Sequence, residues 1–213
     1  MANIIPFKGI RPSRDKVHLV ASRSVDGYDK TELHEKLASN PYTFLHVINP
    51  DFNDGKRTKP GSPERLRKVK EQYLKFLRDE VLFQDTAPAY YIYQQFKDEH
   101  AYTGIIGCSS IDDYFDGAIK IHEQTLTERE EKLKEYLEVC DFNAEPVLFS
   151  YPNDVQIDEI TARFISSYPE YDFTTTDRVR HKLWVVNDPK IVNQLQERFS
   201  KIQIGRASCR ERV

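Results

Sequence analysis

Tyr90-Tyr91-Ile92-Tyr93-Gln94-Gln95-Phe96-Lys97-Asp98-Glu99-His100-Ala101-Tyr102-Thr103-Gly104-Ile105-Ile106-Gly107-Cys108-Ser109 decides the fold class. Tyr90 to Phe96 and Ala101 to Ser109 are strand-like runs joined by the polar turn Lys97-Asp98-Glu99-His100. That pattern predicts a β-hairpin, although the stronger Asn-Gly turn is absent. A second hairpin is predicted from Tyr171 to Thr175 and Val179 to Val186, turning about Thr176-Asp177. Hairpins mixed with helices argue an α+β fold with a mixed, largely antiparallel sheet, not a strictly alternating parallel one.

The helices announce themselves by their caps. Ser62-Pro63 is an N-cap followed by proline at the first helical position, and Leu66, Val69, Tyr73, Phe76 and Leu77 then form one apolar stripe. Asp188-Pro189 repeats the signal before Ile191, Val192, Leu195 and Phe199. Asp29 to Ala38 reads as a short helix stopped by Asn40-Pro41. Thr127-Glu128-Arg129-Glu130 has capping-box spacing ahead of Leu133, Tyr136, Leu137 and Cys140. Ile157, Ile160, Phe164 and Ile165 mark a further helix. Tyr42 to Ile48 reads as a strand, Pro146 to Tyr151 as a buried-type strand, and Asn53 to Gly61, rich in glycine and lysine, as a mobile loop.

The chain has 213 residues, 31 basic and 34 acidic side chains, and a formal net charge of -3. That length suits one domain or two small ones. Its last ten residues, 204–213, break the preceding helical pattern. One back-translation, ATC GGA AGA GCG TCG TGT AGG GAA AGA GTG, resembles a common short-read sequencing adapter. The expectation is that residues 1–203 are the N-terminal part of a longer protein, inactive alone, and that 204–213 are an adapter-derived artefact. Without three arginines and one glutamate of that tail, 28 basic and 33 acidic side chains remain, net -5. Such mild acidity argues against a nucleic-acid partner, which needs a clustered basic face. Lys56-Arg57-x-Lys59 is the nearest basic cluster and reads as a solvated loop. No signal peptide or membrane span is recognisable, and the two cysteines before the tail, Cys108 and Cys140, have no metal-ligand spacing. A reduced cytoplasmic protein with a small-molecule ligand is the simplest expectation.

Reactive side chains are densest in Gly117-Ala118-Ile119-Lys120-Ile121-His122-Glu123-Gln124-Thr125. In an extended segment Lys120 and His122 share one face and Ile119 and Ile121 the other. A cation beside an imidazole can bind an anion, with Glu123 and Thr125 near the rim, and His122 is the natural acid–base candidate. A solvated strand face explains the same pattern. His122-Glu123 is half of a zinc-protease helix motif, but Leu126 stands where the second histidine is needed, so no metal site is read there.

Arg178-Val179-Arg180-His181-Lys182-Leu183-Trp184 is the second candidate. Alternation puts Arg178, Arg180 and Lys182 on one face, suited to a phosphate or a carboxylate, or to pairing with nearby carboxylates. His181, on the apolar face, reads as a satisfied core histidine. Gly104-Ile105-Ile106-Gly107 lacks the ending of a phosphate loop.

Several segments together resemble domain-of-unknown-function family 1015. They are Pro6-Phe7-Lys8-Gly9-Ile10-Arg11-Pro12, Asn40-Pro41-Tyr42-Thr43-Phe44-Leu45-His46-Val47, Gln84-Asp85 with Pro88, and Tyr91-Ile92-Tyr93. Gly117 through Thr125, Ala144-Glu145-Pro146-Val147 and Val179 through Trp184 complete the set, which spans about Ile5 to Gln203. The resemblance implies a longer protein carrying an Ala-Asp-Gly-His-His-Arg motif that is absent here, similar to a box of partition-protein-B-like domains and free-serine kinases. It thereby implies nucleotide-dependent phosphotransfer to serine or a similar small molecule, with Mg²⁺ and ADP or ATP. In that scheme Lys120 and Arg180 contact phosphate, while Glu123 or His122 handles a proton or a metal. The alternative is a non-catalytic small-molecule-binding or regulatory protein. Where many relatives carry Ala-Pro-Pro-Tyr-Asp, this chain has Ala21-Ser22-Arg23-Ser24-Val25-Asp26-Gly27-Tyr28, so no role of that segment transfers.

Overall fold

A computed structural model describes residues 2–120, 127–144 and 146–206. In chain order the elements begin with β1 (Ile4–Ile5), β2 (Ile10–Pro12), α1 (Val17–Val20), α2 (Lys30–Ser39), α3 (Leu45–Ile48), α4 (Asp51–Asp54) and α5 (Pro63–Arg78). There follow β3 (Leu82–Gln84), β4 (Tyr90–Lys97), β5 (His100–Ile106), β6 (Cys108–Ser109), α6 (Ile111–Phe115), β7 (Ile119–Lys120) and α7 (Thr127–Cys140). The last are β8 (Phe149–Ser150), α8 (Val155–Ile165), β9 (Tyr171–Thr174), β10 (Arg180–Val186), α9 (Pro189–Phe199) and β11 (Ile204–Arg206). The fold is α+β with mostly antiparallel sheets. The chain divides into two compact units, a sheet unit (residues 1–9, 84–124 and 145–213) and a helical unit (10–83 and 125–144).

The sheet unit is built on a four-stranded antiparallel sheet in the order β5-β4-β10-β9. Both expected hairpins are present. The first turns at Asp98, where φ is +54° and Lys97 pairs with His100. Alternation then sorts the side chains: Tyr90, Ile92, Trp184 and Val186 leave one face as core. Helices α8 and α9 cover that core with Ile157, Ile160, Val192, Leu195 and Phe199. Asp188 caps α9 where the sequence placed its start, accepting from Lys190, and Asp154 caps α8 by accepting from Gln156 and Ile157. Arg198 on α9 forks onto Asp154 and ties the two helices together.

A second sheet, β7-β11-β8, pairs β11 parallel to β7 and antiparallel to β8. Ile119 and Ile204 are buried in the same core. The expected foreign tail therefore begins on a core strand, and its remainder from residue 207 lies outside the described residues. The strand expected over Pro146–Tyr151 is only Phe149–Ser150, since β11 offers two pairing positions there. Val147 and Leu148, expected as buried, are 55% and 68% exposed.

In the helical unit, α5 buries Leu66, Val69, Tyr73 and Phe76 as its stripe requires. Tyr136, Val139 and Cys140 of α7 pack on that cluster, and Tyr73 stacks on Phe142 at 4.2 Å. Leu133 and Leu137, expected on the buried face, are exposed because the line contacting α5 runs through 136, 139 and 140.

Tyr42–Ile48 is not a strand. Asn40 caps the chain reversal by accepting from the Tyr42 amide and donating to the Leu19 carbonyl, and α3 follows. Leu45, His46 and Val47 are all buried, and a short continuous apolar run cannot distinguish a buried helical turn from a buried strand.

Candidate functional site

The antiparallel register assembles a polar row across all four strands of the main sheet. Thr103 on β5 faces Gln94 on β4, Gln94 faces Lys182 on β10, and Lys182 faces Asp172 on β9. Direct cross-strand partners hold their Cβ atoms about 5 Å apart, so these four side chains crowd one face. The row lies one step from the Ile92–Trp184 core pair, and on its other side Phe96 faces Arg180.

Within the row the charges are unequally spent. Arg180 holds Asp172 with two bonds of 2.7 Å from Nε and Nη2. That fork keeps the Asp172 carboxyl below its ordinary range, against a weaker upward push from burial. Lys182 reaches Asp172 only at 3.9 Å, and its ammonium lies 5.4 Å over the Phe96 ring. Lys182 is thus the cation with donors to spare. Beside it, Gln94 is 5% exposed and donates from Nε2 to the Thr103 hydroxyl at 2.9 Å. Its Oε1 is buried without a hydrogen-bond partner. Turning the amide over lets Thr103 donate instead and leaves Nε2 unpaired. Either way one half of a buried amide is unsatisfied, at a cost of about 1–3 kcal/mol.

Arg178 does not share this face. It lies in the turn before β10 with φ +64°, and its amide bonds to the Thr175 carbonyl at 2.9 Å. The alternation therefore starts at Arg180, because the hairpin turn takes up the preceding residues.

His181 sits on the opposite face between Tyr93 and Phe173, stacked on both. Gln95 Nε2 donates to the Tyr93 oxygen at 2.8 Å, and the Tyr93 oxygen lies 2.6 Å from His181 Nδ1. His181 Nε2 is 3.2 Å from Thr175 Oγ1, which itself donates to the Val179 carbonyl at 2.9 Å. The donors and acceptors run consistently only if the imidazole is neutral with its proton on Nε2. Burial pushes the His181 pKa below its ordinary 6.5, while Asp177 pulls weakly the other way. With both nitrogens committed, His181 is a structural residue.

Lys120 is exposed on β7, in the β7-β11-β8 sheet, so the structure does not put it on the face that holds Arg180 and Lys182. His122, Glu123 and Thr125 lie outside the described residues. Among the described residues no group of three or more His, Cys, Asp or Glu side chains could hold a metal ion. No helix among them is long and apolar enough to cross a membrane. The residues missed from sequence are Gln94, Thr103 and Asp172. Only the register, which a single strand does not reveal, joins them to Lys182.

The motif residues near the N-terminus have a structural explanation. Tyr91 Oη accepts from the Gly9 amide at 2.8 Å and donates to Asp85 at 2.7 Å. A Cβ at position 9 would lie 2.5 Å from that oxygen, so only glycine fits. No curated protein and no solved structure matches the chain. The model of the family described as protein of unknown function (DUF1015) matches residues 4–205, and the chain belongs to that family.

Proposed function

We propose that this family member binds a small molecule carrying an acid group and a free hydroxyl, of the serine type, on the Gln94–Lys182 row. The observation that carries the reading is the unsatisfied half-amide of Gln94 beside the incompletely paired ammonium of Lys182. A ligand acid oxygen would take Lys182, and a ligand hydroxyl, both donor and acceptor, would satisfy Gln94 in either amide setting. Such a ligand would accept a phosphoryl group from ADP or ATP, releasing AMP or ADP and the hydroxyl proton. Proton handling would then fall to His122 or Glu123, with Thr125 and Arg180 as further phosphate contacts. Any Mg²⁺ would arrive on the nucleotide phosphates, as such ions commonly do.

A second reading is favoured by the pairing of Asp172, the row's carboxylate, with Arg180: the site binds its ligand without turnover, as in a sensor. One experiment separates the two. The protein is incubated with serine and ADP or ATP, and products are followed by ³¹P NMR alongside calorimetric titration with L-serine. Phosphoserine formation that is lost in Lys182→Ala supports phosphotransfer. Binding without product supports the sensor. Neither binding nor product sinks both.

A further inference from the structure

The helical unit holds a cleft of about 620 Å³ whose apolar lining is Leu33 and Leu37 of α2 and Phe52 of α4. Its charged lining is Lys30, Arg57 and Arg65 against a single carboxylate, Asp51. That volume lies within the usual range of small-molecule sites.

Asp51 cannot neutralise the cleft, because it is already occupied. It accepts from the Thr58 amide and hydroxyl, both at 2.8 Å, from Arg65 at 3.0 Å and from Lys68 at 3.4 Å. Burial pushes its carboxyl up, but the Thr58 and Lys68 hydrogen bonds and the Arg65 charge together hold it below its ordinary range. Lys68 also pairs with Asp54 at 2.9 Å. Arg65 and Lys68 therefore balance Asp51 and Asp54. Lys30 and Arg57 are left over: no ion pair engages either among the described residues.

The loop that carries Arg57 is clamped on both sides of it, contrary to the mobile loop its composition suggests. Gly55 ends α4 at φ +69°, a left-handed conformation that favours glycine. The Lys56 amide then donates to Asp54 at 3.0 Å, and the Lys56 carbonyl accepts from Lys68 at 2.9 Å. Thr58 is tied to Asp51 immediately after. Arg57 is consequently an exposed cation on a fixed backbone, so less entropy is lost when it engages a ligand. Phe52 is held in place as well, edge-on to His34 at 5.3 Å and 5.7 Å from His46. His46 is itself buried between Asn53 Oδ1 at 2.7 Å and the Asn40 carbonyl at 3.1 Å.

We propose that this cleft binds a nucleoside phosphate, with the base against Phe52, Leu33 and Leu37 and the phosphate oxygens on Arg57 and Lys30. An aromatic and aliphatic surface beside two unspent cations suits a flat ring joined to an anion. The proposal does not rest on the Gln94–Lys182 reading, which concerns the other unit.

Calorimetric titrations with ADP, pyrophosphate and adenosine test it, using the wild-type chain, Arg57→Glu, Arg57→Gln, Phe52→Ala and Lys182→Ala. ADP is expected to bind, about tenfold or more weaker in both Arg57 variants, the equivalent of one charge-assisted contact. Phe52→Ala should weaken ADP and adenosine and leave pyrophosphate alone, while Lys182→Ala changes none of them. Circular dichroism confirms that the variants fold, and Arg57→Gln removes the charge without reversing it. No heat with ADP, or undiminished ADP affinity in both Arg57 variants, overturns the proposal. ADP binding lost only in Lys182→Ala also overturns it and moves the nucleotide to the sheet unit. Equal affinity for ADP and pyrophosphate with no effect of Phe52→Ala overturns the nucleoside part.

Discussion

Replacing Gln94 by leucine should stabilise the sheet unit and abolish its ligand binding together. Gln94 is 5% exposed, one of its two amide atoms has no partner, and its single bond goes to an exposed threonine that water can serve. Removing an unsatisfied buried polar atom recovers about 1–3 kcal/mol, while the lost hydrogen bond costs about 1 kcal/mol. A leucine of similar length beside Ile92 and Phe96 adds about 1–2 kcal/mol of apolar burial. The balance is a gain of about 1–4 kcal/mol, which at a urea m-value of about 2 kcal/mol/M raises the midpoint by about 0.5–2 M. Trp184 is the chain's only tryptophan and belongs to the core next to the row, so its fluorescence follows this unit selectively. A gain in stability with loss of function is the signature of a side chain kept for its ligand. A lowered midpoint would refute the reasoning, because Gln94 would then be satisfied in the native protein and unavailable to a ligand.

Three further outcomes follow from the same geometry. Leu195→Ala, at a position with no exposure in the α9 core, should cost about 2–5 kcal/mol in urea unfolding; a cost below about 1 kcal/mol would mean that α9 does not pack as described. His181 has a folded pKa below 6.5, so its contribution to stability is full above that value and is lost as pH falls through it towards the folded pKa. His181→Gln should therefore flatten the fall in stability as pH drops below the ordinary 6.5, and an unchanged slope would place His181 in water. Of the two thiols in the described residues, exposed Cys108 should react first with a disulfide reagent, and buried Cys140 only on unfolding. Cys108 should itself react slowly at neutral pH, since partial burial of its thiol pushes its pKa up; equal rates for the two would count against the burial of Cys140.

The parts of the fold legible in the sequence are those whose signal is local. Ser62-Pro63 and Asp188-Pro189 place α5 and α9 to the residue, because a cap and its proline are fixed by adjacent backbone chemistry. The two hairpins were legible for the same reason. Tyr42–Ile48 was misread because burial on every side erases periodicity, and the Asn40 bonds that turn the chain into α3 reach back to Leu19. The face of α7 was misread because its partner α5, more than fifty residues away, chooses which line of side chains it contacts. The site divides similarly. Alternation marked Arg180 and Lys182 as one face. It could not show that Asp172 takes up Arg180, nor that Gln94 stands opposite Lys182, since both depend on strand register. Arg57 looked like part of a solvated loop because its clamps, Asp51 and Lys68, are supplied by helices on either side.

The reading of the sheet row stands or falls on whether a ligand reaches Gln94. Nitrogen-edited NMR of the labelled chain, titrated with L-serine, watches the Gln94 side-chain amide directly. The prediction is a shift of that resonance and of the Lys182 backbone amide with one common midpoint, absent in Lys182→Ala. Saturating shifts elsewhere while the Gln94 amide stays fixed would contradict it.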